Sequence, residues 1–114
     1  MSGKRVLVVE DEMMVVLYLE DVLQSLGHTV VASAGRLEDA VAHAQSAEID
    51  FALLDLNLAG TRSYPVADAL EARKIAYAFA TGYGAGGIAA EYAHVPTLTK
   101  PFRIEDIAGV LDRP

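Results

Sequence analysis

The chain contains no cysteine. That excludes disulfides, thiol catalysis and thiolate-held zinc, and it fits a reducing compartment without requiring one. Positive charge is scarce: nine Lys and Arg stand against sixteen Asp and Glu, for a formal net charge of -7. With no Lys/Arg cluster to release counterions, the charge argues against nucleic acid or anionic membrane as a general partner. Long apolar runs are missing too. None approaches the roughly 20 residues that span a bilayer, and Val6 to Val9 is too short for a signal-peptide core. The expectation is a soluble, cytoplasmic protein. His28, His43 and His94 share no ligand spacing, so each is expected to be structural or to sit on the surface.

What is abundant is apolar. A hydrophobic content of 53% excludes a disordered chain. Its 114 residues suffice for one core and not for two, so 1–114 is expected to form a single domain. The chain is organised around Phe51-Ala52-Leu53-Leu54-Asp55-Leu56-Asn57-Leu58-Ala59-Gly60. Its first four residues read as a strand buried on both faces, which delivers Asp55 to that strand's carboxyl end. Open α/β sheets place their ligand sites at such ends.

The remaining segments alternate. Val6 to Val9 is a second apolar strand, ending in Glu10-Asp11-Glu12. Met13 to Leu26 follows, with apolar residues at 15, 16, 19, 22, 23 and 26 on one helical face, and Gly27 stands where a left-handed C-cap is wanted. Thr29 to Ala34 reads as a strand, and Leu37, Ala40, Val41 and Ala44 mark a helix. After Asp55 comes a loop through Gly60 and Thr61. Ser63 is expected to cap the next helix, with Pro65 in its first turn. Lys74 to Ala80 and Val95 to Thr99 are the last two strands, and Ile104, Ile107, Ala108 and Leu111 are expected to line the inner face of a closing helix. Such alternation means a parallel sheet with helices on both faces.

One stretch breaks the pattern. Gly82-Tyr83-Gly84-Ala85-Gly86-Gly87 falls where a fourth helix should start, yet each helical glycine costs roughly 0.5–1 kcal/mol relative to alanine. Any helix here is expected to be confined to about Ile88 to Ala93 and frayed or mobile at its start. No Lys-Ser/Thr follows the glycines, so a surface loop is expected here rather than a phosphate-cradling P-loop.

Four strand ends therefore meet at one edge: Glu10 and Asp11; Asp55 with Asn57 beyond it; Thr81; and Lys100 before Pro101-Phe102. Three carboxylates within ~5 Å would repel by about 3 kcal/mol per pair at an effective dielectric near 20. A hard divalent cation offsets such repulsion: Mg²⁺ accepts oxygen ligands from one or two carboxylates, keeps waters and recruits phosphate oxygens. Carboxylate, cation, ammonium and hydroxyl together are the parts that phosphoryl transfer uses.

Val8-Val9-Glu10-Asp11-Glu12, Leu53-Leu54-Asp55-Leu56-Asn57-Leu58, Ala80-Thr81-Gly82 and Thr99-Lys100-Pro101-Phe102, in this order at these strand ends, resemble the receiver domain of bacterial two-component response regulators. The resemblance spans the whole chain. It implies a flavodoxin-like doubly wound (βα)5 fold with a parallel sheet ordered 2-1-3-4-5, and an aspartyl phosphate formed on Asp55. It implies Mg²⁺, or Mn²⁺ in its place, held by Asp11, Asp55 and the backbone carbonyl of Asn57, with Glu10 acting through a metal-bound water. Thr81 and Lys100 would each bond a phosphoryl oxygen, and Lys100-Pro101 would be cis.

Two departures narrow the resemblance. Most receivers carry Tyr or Phe three residues before the lysine, where this chain has Thr97. Phe79-Ala80-Thr81-Gly82-Tyr83-Gly84 is instead similar to the signature of the FATGUY subclass, whose members lack that aromatic and have a poorly formed fourth helix. HWE-type or related histidine kinases are the implied phosphodonors. Glu10 stands where many receivers have Asp.

The expected function is thus a phospho-accepting switch rather than an enzyme. Its partners would be a sensor histidine kinase or phosphotransfer protein and a downstream protein, with no output domain attached and the chain a monomer or weak homodimer. Phe79, Gly82, Tyr83, Thr97, Pro101 and Phe102 would border the switching surface. A phosphohydrolase is disfavoured because Asn57 stands where such enzymes place a general acid and because no cap domain is inserted. A phosphorylation-independent interaction module is disfavoured because Glu10, Asp11, Thr81 and Lys100 are all retained. A nucleotide binder would need a Gly-rich turn after the first strand, where Glu10-Asp11-Glu12 stands.

Overall fold

The computed structural model of the chain describes residues 3–82 and 87–112. In chain order the elements are β1 (Arg5–Val9), α1 (Met13–Ser25), β2 (Thr29–Ala34), α2 (Leu37–Ser46), β3 (Phe51–Asp55), β4 (Asn57–Leu58), β5 (Thr61–Arg62), α3 (Tyr64–Ala72), β6 (Ala76–Thr81), a 3-10 turn (Ala90–Tyr92), β7 (Thr97–Thr99) and α4 (Ile104–Leu111). Five strands pair in parallel in the order β2-β1-β3-β6-β7. Counted among sheet strands alone, that is the expected 2-1-3-4-5.

Period-two alternation divides the strand side chains between two layers. Val6, Val8, Leu53, Ala78 and Leu98 pack with Leu19, Leu23, Ile107 and Leu111 of α1 and α4. Leu7, Val9, Ala52, Leu54 and Phe79 pack with Ala40, Ala44, Val66 and Leu70 of α2 and α3. Every residue of β3 is buried, because both of its faces are covered. That is why its sequence runs apolar without alternating.

Several boundaries differ from the sequence reading. The loop after Asp55 is a small antiparallel hairpin, pairing Asn57 with Arg62 and Leu58 with Thr61. Its turn residues, Ala59 at φ 51° and Gly60 at φ 88°, both lie in the left-handed region that a tight two-residue hairpin turn requires. Lys74 also sits at positive φ, so β6 starts at Ala76 rather than at residue 74. The last strand begins at Thr97, although Val95 is already buried. In α4 the inward residues are Ile107, Val110 and Leu111, whereas Ile104 opens the helix and is 49% exposed. Gly27 takes φ 90°, as its C-cap place demands.

The expected fourth helix is a 3-10 turn over Ala90–Tyr92. Ser63 does precede α3, with Pro65 in the first turn, but its side chain caps nothing. Its Oγ is wholly buried and has no hydrogen-bond partner among the described residues. No helix among those residues is long and apolar enough to cross a membrane.

Candidate functional site

Parallel strands carry their chemistry to one edge. Glu10 follows β1, Asp55 ends β3, Thr81 ends β6 and Lys100 follows β7. Backbone bonds lock these ends together. The Leu56 amide donates to the Ala80 carbonyl (2.9 Å), the Lys100 amide to the Thr81 carbonyl (2.9 Å), and the Glu10 amide to the Ala34 carbonyl (2.9 Å). The Ser63 amide donates to the Leu56 carbonyl, which ties the hairpin beneath Asp55.

The structure brings Glu10, Asp11 and Asp55 together, with one carboxylate oxygen from each lying within 4.8 Å of the others. Glu10 is 3% and Asp55 7% exposed, while Asp11 opens to solvent. The Lys100 ammonium bridges the two buried acids, donating to Glu10 Oε1 (3.1 Å) and Asp55 Oδ2 (3.2 Å). The other oxygens are fixed by backbone: the Glu12 amide donates to Glu10 Oε2 (3.1 Å), and the Asn57 amide to Asp55 Oδ1 (3.2 Å).

The electrostatics follow from burial. Glu10 is pushed above the usual carboxylate range, first by desolvation and then by the neighbouring charge of Asp55; the Glu12 amide and Lys100 oppose that rise. For Lys100, desolvation pulls downward, but Asp55 and Glu10 outweigh it and the lysine is held more firmly protonated than usual. One ammonium therefore serves two buried acids, with a third carboxylate at the rim. Three oxygen donors with no soft ligand suit a hard cation such as Mg²⁺, not a thiolate- or imidazole-seeking metal.

Thr81 is buried one residue beyond the register partner of Asp55 on β6. Phe79 is fully buried and pairs in register with Thr97, whose hydroxyl donates to the Val95 carbonyl (3.4 Å). Asn57 lies at the start of β4 and is exposed. Lys100-Pro101 is cis. Pro101 is exposed, and half-buried Phe102 packs against the α1–α4 layer. Gly82 is exposed at the end of β6, and Tyr83 lies outside the described residues.

Sequence reasoning missed Tyr18, whose hydroxyl donates to the Phe102 carbonyl (3.2 Å) and ties α1 to the loop carrying Lys100. It sits off the buried face of α1, so periodicity gave it no role. Two of the three histidines have structural partners: His28 Nδ1 accepts from the Lys4 amide (2.9 Å), and His94 pairs with Glu71, while His43 lies half-buried in the last turn of α2.

The family model described as the response regulator receiver domain matches residues 6–112. The solution structure of SdrG from Sphingomonas melonis Fr1 is 39% identical, with 97% of this chain and 96% of that chain covered and a TM-score of 0.86. The BeF3-activated conformation of SdrG, from Pseudomonas melonis Fr1, shares the same identity and coverage with a TM-score of 0.81. The anti-anti-sigma factor PhyR from Bartonella quintana is 27% identical over 97% of this chain but 46% of its own, with a TM-score of 0.79. A comparison with curated proteins gave no match. Strand order, strand-end chemistry and these likenesses agree: the chain belongs to the response regulator receiver domain family, the signalling proteins of two-component systems.

Proposed function

We propose that this chain acts as one receiver domain that accepts a phosphoryl group on Asp55. The observation that carries the reading is the setting of Asp55: a buried carboxylate with Oδ2 on Lys100 and Oδ1 on the Asn57 amide, close to two further acids. In the reaction, an Asp55 oxygen attacks the phosphorus of a phosphohistidine. The O–P bond forms as the P–N bond breaks, and the imidazole nitrogen leaves with the electron pair. Lys100 balances charge gathering on the phosphoryl oxygens, and Thr81 bonds another of them. Glu10, Asp11, Asp55 and the Asn57 carbonyl would hold Mg²⁺, with Mn²⁺ as a substitute; the ion supplies charge neutralisation at the transferring group.

The donor is a histidine kinase, of the HWE type or a relative, or a phosphotransfer protein, in keeping with the FATGUY-like run Phe79 to Gly84. Met13, Met14, Leu17 and Tyr18 leave an apolar face of α1 exposed. Beside it a groove of about 580 Å³ runs from Met14 to Lys100 and Phe102. Such an apolar face next to the acceptor is where a donor protein would seat. The downstream partner is a protein; with a net charge of -7, neither nucleic acid nor membrane is a target. The protein is a monomer or weak homodimer in the cytoplasm.

Phosphorylation adds about one negative charge and three acceptor oxygens at Asp55. Thr81 and Lys100 are drawn inward, and residues 82–93 reorder into a new surface. Amide exchange with and without beryllofluoride and Mg²⁺ checks this: protection should rise across 82–93, and unchanged protection would defeat the switch.

A further inference from the structure

The segment between β6 and β7 has no α-helix among its described residues, and α3 takes hold of it instead. Tyr64, Asp68 and Glu71 stand at i, i+4 and i+7, one stripe of that helix. Each reaches a different residue of the segment. The Ala89 amide donates to the Tyr64 hydroxyl (2.8 Å), the Tyr92 hydroxyl donates to Asp68 Oδ1 (2.6 Å), and His94 Nε2 lies 3.0 Å from Glu71 Oε2. The rings of Tyr64 and Tyr92 stack at 4.4 Å with their planes 1° apart. Both meet Phe79 edge-on at 5.9 Å.

Phe79 and Thr81 are two residues apart on β6 and so share one face of the sheet. An unbroken aromatic unit thus runs from α3 and the 3-10 turn to within two residues of Thr81. The register partner of Phe79 on β7 is Thr97, which brings no ring of its own.

We infer that Tyr64, Asp68 and Tyr92 form a clasp that holds residues 88–94 in the arrangement described here, and thereby sets how much phosphoryl group is needed to switch the protein. They are positioning residues: they touch neither Asp55 nor the phosphoryl group and act on Thr81 through Phe79 and the segment. This rests on Asp55 being the acceptor. A ligand shifts an equilibrium only by its differential contacts with the two states. Contacts made in the unphosphorylated state and lost in the other raise the ligand concentration required. Drawing Thr81 inward moves the strand that bears Phe79 and the start of the segment, so the clasp opposes that movement.

The test uses the full chain carrying Tyr92→Phe, which keeps the ring but removes its bond to Asp68, and separately Asp68→Ala at an exposed helix position. Each is titrated with beryllofluoride in the presence of Mg²⁺ while the backbone signals of Thr81 and Lys100 are followed by NMR. Both variants should exchange the Ala89 amide faster. Their titration midpoints should fall by about five- to tenfold, the scale of one lost hydrogen bond. A midpoint that stays put or rises while Ala89 exchange quickens would overturn the inference and leave the clasp as packing. Unchanged Ala89 exchange would overturn it too, since nothing would then be held. A native protein that never responds to beryllofluoride would instead bring down the acceptor reading, and the switching role of the clasp with it.

Discussion

The strand-end edge and the β6–β7 segment answer to different forces. At the edge, Asp55 and its neighbours are placed by the backbone ladder itself, through bonds from Leu56 to Ala80 and from Lys100 to Thr81. Their backbone positions are a by-product of parallel pairing, so Thr81 can move inward only by carrying β6 with it. The segment around the 3-10 turn Ala90–Tyr92 is held, among its described residues, by side chains: two tyrosine hydroxyls, an aspartate and a ring stack. A receiver needs both kinds. The chemistry requires fixed groups, while a switch requires contacts that can be exchanged at low cost.

Mutations can break this comparison or sharpen it. Lys100→Ala should act globally, because it strands Glu10 and Asp55 as buried, mutually repelling acids. With the lysine a quarter exposed, the loss should be about 2–3 kcal/mol in denaturant unfolding. Added Mg²⁺ should recover part of that loss; a variant as stable as the native chain would mean that the edge is not electrostatically strained. Tyr92→Ala removes the stack and one hydrogen bond at the other region, about 1–2 kcal/mol. Amide exchange should place that loss locally in residues 88–95 and leave β3 protected. If β3 amides exchange faster as well, the two regions are not separable.

The smallest effect concerns Ser63, and its sign is the informative part. Loss of an ordinary N-cap serine destabilises by about 0.5–2 kcal/mol. Here the hydroxyl is buried and unpartnered among the described residues, so Ser63→Ala should leave stability unchanged or raise it by up to about 1 kcal/mol. A clear loss on thermal unfolding would show that the hydroxyl finds a partner in solution.

The same contrast governs what could be read from the sequence. Phe51 to Asp55 and Val6 to Glu10 were legible because a strand covered on both faces must be apolar until it meets the functional edge. The resemblance supplied the cis Lys100-Pro101 bond, which no periodicity encodes. The glycines around residue 84 confine any fourth helix to about Ile88 to Ala93, where a 3-10 turn over Ala90–Tyr92 stands. Nothing announced what holds that turn, since the bonds from Tyr64 to Ala89 and from Asp68 to Tyr92 each join residues more than twenty positions apart. The Ala59-Gly60 hairpin turn was missed because alanine at positive φ has no sequence signal of its own. In α4, apolar spacing puts Ile104 on the inner face, but a helix's first turn need not face the core.

The central claim is that Asp55 is the residue that becomes phosphorylated. Incubation with acetyl phosphate and Mg²⁺, followed by intact-mass measurement, tests it directly. The native chain should gain the mass of one phosphoryl group, and none when Mg²⁺ is chelated before the donor is added, while Asp55→Asn should gain none. Labelling that persists in Asp55→Asn would contradict the account.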